Sequence, residues 1–328
     1  MVEALSKRVP HTRSDWLGIL RVFLIEPQLT LTILLILLML ALNPDFLAVR
    51  NLHLVLRQAS VIGIVTCGVC WMMISGSFDL SVGSLVSLVS VSAVARLQAG
   101  ANPIEAIGIG LARGLVAGLI NGFLVGQLKA NAFLTTLGTM TAFQGVALLV
   151  TGGLYFRVPL DSPYRAIADS FVGPLASPIL IFLAVALVMH LVLSLTPFGL
   201  RIYAIGGNER SAILAGINVP AYRLLMYIAT GVTAAIAAIV VSARAGSGQH
   251  FLGLNYEFNA ITAAVLGGNY IFGGRGSVAR GVWGALLLAF LANAQTLLRI
   301  PSAMQLVVQG IVTLIIVGVQ VLYVRKES

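Results

Sequence analysis

Few residues in this chain are placed to do covalent or metal chemistry. The four histidines, His11, His53, His190 and His250, are far apart, and no two stand three or four residues apart as ligands on one helix face do. The two cysteines, Cys67 and Cys70, fall about a turn apart in one apolar segment with no second Cys or His pair to complete a zinc site. Packing explains them better than redox or metal chemistry, and a secreted disulfide framework is excluded. Nucleophile, base and oxyanion donors nowhere gather, and there is no GxxxxGK[ST] loop. The expectation is a chain with no catalytic site, no metal and no cofactor of its own. If ATP drives it, another subunit binds the nucleotide.

The informative polar residues interrupt apolar runs. The stretch 75–84, Ser-Gly-Ser-Phe-Asp-Leu-Ser-Val-Gly-Ser, sets Asp79 and Ser81 between two apolar segments, as a loop or a helix break. Asp79 suits the cap of the following helix, where a carboxylate accepts backbone N–H bonds at the positive dipole end; direct contact with a solute is the other reading. Arg113 lies inside a further apolar run, where a charge is costly unless paired or in contact with water. A buried carboxylate or carbonyl partner would account for it, and so would a place on a transport path. Around it Gly110, Gly114, Gly118, Gly122 and Gly126 recur every four residues, stripping one helix face so that another backbone, in this chain or a second copy, approaches closely. In the stretch 198–218, Gly206-Gly207 reads as a turn, Asn208 as an N-cap, Glu209 as a first-turn acid and Gly216 as the glycine ending a short helix. Such a helix suits the grip of a soluble partner or a plain connection.

Helices that cross a membrane must hold these residues. The 328 residues are 59% hydrophobic and 9% charged, against roughly 25% charged in soluble domains, so a water-soluble fold is excluded. The formal charge of +9 is scattered between apolar runs and forms no stripe for nucleic acid. A bilayer core of about 30 Å takes roughly 17–25 apolar residues per helix. On that basis we read ten segments: 29–42, 55–75, 82–97, 104–125, 133–151, 179–195, 224–243, 258–272, 281–298 and 304–324. The start of the chain lacks an h-region with a small-residue cleavage site, so the first segment is expected to be a retained span. Lys7, Lys129 and Lys326, with Arg201, Arg210, Arg223, Arg275 and Arg280, then fall on one side, which orients the chain with both termini in the cytoplasm. The expected organisation is a cytoplasmic segment 1–28, a transmembrane domain 29–324 with a periplasmic loop at about 152–177 and a cytoplasmic loop at about 196–223, and a cytoplasmic tail 325–328. The fold class is all-α, polytopic.

Several motifs stand in one order: Pro44-Asp45-Phe46-Leu47 with Asn51-Leu52 and Leu56-Arg57-Gln58-Ala59-Ser60; the 75–84 block; Asn121-Gly122; Thr135-Thr136-Leu137-Gly138-Thr139-Met140; Gly206-Gly207-Asn208 to Ala215-Gly216-Ile217; and Tyr256-Glu257-Phe258 through Gly267-Gly268 to Gly273-Gly274-Arg275-Gly276-Ser277. In these the chain resembles the permeases of ribose-, galactose-, xylose- and arabinose-type ABC importers, over nearly its whole length after about Asn43. The resemblance implies the larger importer permease fold of about ten helices in a bacterial inner membrane. It also implies a second permease copy, ATPase subunits that bind ATP and Mg on the cytoplasmic face, and a periplasmic sugar-binding protein. It makes Gly206, Gly207, Asn208, Glu209, Arg210, Ala212 and Gly216 a coupling helix toward the ATPase, with Arg210 standing where a glutamate is common and Glu209 just before it. Asp79, Ser81, Arg113, Asn121, Glu257 and Asn269 are the pathway or structural candidates. The segment Asn269-Tyr270-Ile271-Phe272 is bulkier than the small residues usual there. A secondary transporter would couple ions through intramembrane ionisable groups, which are sparse here.

Overall fold

Apolar runs opened by Asn, Ser or Pro fold into helices, because a side-chain oxygen satisfies one orphan N–H of the first turn and a first-turn proline has none to lose. A computed structural model describes residues 27–42 and 44–327. The expected N-terminal segment 1–28 thus lies outside the described residues except for its last two, as does Ser328 of the tail. The chain divides into two units, the first ending at Ala48. Its described part is helix α1 (Pro27–Leu42) and a 3-10 turn, Pro44–Leu47.

The second unit opens with α2 (Val49–Ile74), α3 (Val82–Gln98) and α4 (Pro103–Gly122), which continues through a π-turn, Phe123–Gln127. After α5 (Ala132–Thr151) comes a connector with β1 (Tyr155–Arg157), a 3-10 turn Pro163–Arg165, α6 (Ala166–Asp169), β2 (Phe171–Val172) and β3 (Leu175–Ala176). Then follow α7 (Ser177–Leu195), α8 (Pro197–Gly207), α9 (Glu209–Leu214), α10 (Val219–Ala245), β4 (Ser247–Gln249), α11 (Tyr256–Leu266), α12 (Val278–Leu297) and α13 (Ser302–Glu327). Asn102, Asn131, Asn218 and Ser277 each accept a backbone N–H of the helix they open, at 2.8–3.2 Å.

Six of these helices, α2, α4 with its π-turn, α5, α7, α10 and α12, are long and apolar enough to cross a membrane among the described residues. The sequence segment 258–272 is a helix only to Leu266, and eleven residues rise about 16 Å, half of the hydrocarbon core. Gly267-Gly268 ends it, and a glycine-rich turn follows. The chain is predominantly helical but not wholly so: β1 pairs with β4, setting Phe156 opposite Gly248, and β2 pairs with β3. These short ladders satisfy backbone groups in the connectors, where no helix does.

Helix α10 forms the centre. Ala234, Ala235, Ala237 and Ala238 are fully buried, and it packs against α2, α3 and α4. Tyr164 of the 152–177 connector pins the far end of α10, its hydroxyl donating to the Ile239 carbonyl at 3.2 Å and lying 2.8 Å from Ser242 Oγ.

Candidate functional site

The break between α2 and α3 is built by three of the sequence candidates. A carboxylate oxygen of Asp79 accepts the Ser81 N–H at 2.9 Å and the Ser81 hydroxyl at 2.6 Å. Asn121 Nδ2, reaching over from α4, donates to the same hydroxyl oxygen at 2.8 Å. Asp79 and Asn121 are 4% and 1% exposed, so this is an interior polar knot in the sense that each unpaired group would be costly. Asp79 binds the N–H just ahead of α3 and none inside its first turn, while Ser84 Oγ donates to the Ser81 carbonyl at 2.8 Å. Asn121 Oδ1 has no protein partner among the described residues. Glu257 meets the same helix start from another side, buried with its carboxylate against Gly83, where a side chain would collide with it.

Tyr227 of α10, which lies inside the apolar segment 224–243 and is not among the sequence candidates, completes the break. It is fully buried, donates to the Phe78 carbonyl at 2.8 Å and lies 3.3 Å from Ser77 Oγ. A tyrosine inside an apolar run carries a signal, since its hydroxyl requires a partner when buried. Asn51 and Asn293 were missed in the same way: their amides exchange hydrogen bonds at 2.9 and 2.8 Å between α2 and α12.

The glycine row of α4 lies along α10. A Cβ at Gly118 would stand 2.5 Å from the Tyr227 carbonyl oxygen and 2.6 Å from Ile228 Cα; one at Gly122 would stand 2.8 Å from Leu224 Cα, and one at Gly126 2.7 Å from the Pro220 carbonyl oxygen. Gly114 meets Gly231 and Ala235, and Gly110 meets Val89 and Ile239 side chains. The neighbouring helix is therefore in this chain. Arg113 points away from that contact; it is exposed and makes no hydrogen bond or ion pair among the described residues.

Asn269 belongs to a different break of the chain, the one that follows α11. Fully buried after α11, it accepts the Ser277 N–H at 2.6 Å and donates to Cys70 Sγ at 3.3 Å, shaping the turn that leads into α12. Tyr203 of α8 donates to the Gly276 carbonyl at 2.7 Å in that turn.

Within 196–223, Gly206-Gly207 is the last turn of α8 and not a separate turn, because Asn208 N–H still bonds the Ala204 carbonyl. Gly206 lets α8 sit on the Ile74 carbonyl at the end of α2. Asn208 caps α9 by accepting the Ser211 N–H at 3.0 Å. Gly216 follows α9 with a φ of +81°, the left-handed conformation that ends helices. Ala212 is buried with Ile205 and Val219, Glu209 pairs with Arg223 at 2.5 Å, and Arg210, Ile213 and Leu214 stand exposed.

This arrangement holds helix ends and turns in place. The sequence pattern of the family described as branched-chain amino acid transport system / permease component matches residues 51–317. The chain is 36% identical to the ribose import permease protein of Bacillus subtilis (strain 168) over 288 residues, 88% of either chain. It is 34% identical to the L-arabinose transport system permease protein of Escherichia coli (strain K12) over 83% of this chain and 82% of that one. To the D-allose transport system permease protein of the same strain it is 32% identical, over 82% and 83%. No solved structure matches the chain. The motif blocks that build the α2–α3 break, the glycine row and the α9 region all lie inside the matched span, and the chain belongs to this family of transport permeases.

Proposed function

We propose that this chain is the membrane-spanning permease subunit of a bacterial inner-membrane ABC importer and forms the path of a monosaccharide. The observation that carries the reading is the similarity, over more than four-fifths of the chain, to permeases named for ribose, L-arabinose and D-allose. The family description names branched-chain amino acids; the carbohydrate relatives favour a sugar.

The finer organisation belongs to the same proposal. It has about ten membrane segments with both termini in the cytoplasm, counting α1, α3, α13 and α11 together with the glycine-rich turn after it, beside the six long helices. A second permease copy completes the path, an ATPase binds ATP and Mg, and a periplasmic protein delivers the sugar. The inner stretch supports ATPase docking at α9: its fixed caps hold a short helix whose tip, Leu214, is 88% exposed beside Arg210. A push on α9 has a packed route inward. Ala212 seats on Ile205 of α8, Gly206 touches the end of α2, and Tyr203 holds the Gly276 turn. The Asp79 knot, by contrast, serves as a fixed hub between α2, α3 and α4, a reading supported by the bonds that tie Asp79, Ser81 and Asn121 together.

Deleting the gene in its host and measuring uptake of radiolabelled D-ribose, L-arabinose, D-allose and L-leucine tests the reading. Loss of at least one sugar uptake with leucine uptake intact is expected. Loss of leucine uptake alone would replace the sugar by an amino acid.

A further inference from the structure

Helix α4 and its π-turn span 25 residues, and Arg113 stands ten residues from their start, about 15 Å along the axis and so near the middle of a core about 30 Å thick. From there its side chain is too short to bring the guanidinium to either interface. The glycine row turns the other side of α4 onto α10, so Arg113 faces outward among Val116 and Ile120. It borders a groove of about 180 Å³ whose remaining lining, Leu88, Ala117, Phe143, Val146 and Val150, is apolar. No carboxylate or carbonyl of the described residues meets the charge. An unpaired guanidinium at this depth is costly in hydrocarbon, and no lipid phosphate lies there; with no partner in its own chain among the described residues, it is best accommodated by water or a polar solute.

We propose that this groove is a wall of the water-filled solute path and that Arg113 offers its guanidinium donors to hydroxyl oxygens of the passing sugar. The five fixed N–H groups suit a polyol, and the Phe143 ring and aliphatic lining suit its C–H faces. The sugar contact rests on the permease reading above; exposure of the groove to water does not.

The test uses the full complex with its ATPase in proteoliposomes, in a chain carrying Cys67→Ser and Cys70→Ser. Arg113→Cys is compared with Leu187→Cys, an exposed position on α7, for reaction with trimethylammonium-ethyl methanethiosulfonate, which modifies thiols in water. A rate at least tenfold higher at position 113, in the resting or the ATP-bound state, is expected; equal rates in both states would overturn the path. For the contact, uptake of whichever of D-ribose, L-arabinose and D-allose the unmodified complex imports should fall at least tenfold in Arg113→Leu, and less in Arg113→Lys, at normal yield of complex. Unchanged uptake in Arg113→Leu would overturn the contact. Import of none of the three by the unmodified complex would count against the sugar reading and the contact together, while the thiol rates still judge the path.

Discussion

The hydroxyl of Tyr227 donates to the carbonyl oxygen of Phe78 at 2.8 Å, tying the central helix α10 to the polar break between α2 and α3. One residue of α10 therefore serves two surfaces, since its own backbone carbonyl lies against Gly118 of the glycine row. Tyr227→Phe keeps the ring and strands the Phe78 carbonyl, a loss of about 1–3 kcal/mol for a buried group. The thermal midpoint in detergent should drop, and an unchanged midpoint would show the bond to be dispensable.

The glycine row separates close contact from open space on one helix. Gly118→Ala drives a methyl into the Tyr227 carbonyl and Ile228, at a cost of about 1–3 kcal/mol. Gly108→Ala on the same helix meets nothing within 4 Å and should be neutral or stabilising by up to about 1 kcal/mol. Detergent melting of the two variants side by side decides it; equal midpoints would mean that α4 does not lie on α10.

At α9 the two neighbouring charges have different surroundings. Glu209 is held by Arg223 within the chain, whereas Arg210 is exposed and makes no hydrogen bond or ion pair among the described residues. Reversing an interface charge at a docking centre costs on the order of tenfold in affinity, and Arg210→Glu should lose about that much ATPase on co-purification. Glu209→Gln, which removes a partly exposed pair worth about 0–1 kcal/mol, should retain it. The opposite ranking would hand the docking role to Glu209.

Burial against α10 pushes the Tyr164 phenol from its ordinary value near 10 up to about 12. The unfolded chain releases that proton first, so the contribution of Tyr164 is intact below pH 10 and is lost as pH rises from 10 to 12, at about 1.4 kcal/mol per unit. Melting between pH 9 and pH 11.5 should show a steeper decline in the unmodified protein than in Tyr164→Phe. Parallel declines would mean that the phenol ionises freely in the folded state.

The sequence by itself determined the class of the molecule and several of its local devices. Apolar runs longer than a hydrocarbon core require helices, because no water is present to pair backbone groups there. A glycine every fourth residue clears one face, whatever lies on it. Asn208 before Glu209 specifies a helix start through short-range hydrogen bonding. Sequence patterning could not say that α10 lies against the glycine row, that Asn121 meets Ser81 across 40 positions, or that Tyr227 closes the break, because these pairings are fixed by packing between distant segments. Nor could it see that Gly206-Gly207 continues a helix: the α8 contact with the end of α2 holds those residues helical against their intrinsic preference. Arg113 shows the same division. Its type and depth were legible as costly, but only the packed structure, by turning the bare face of α4 onto α10, decided that the charge points outward.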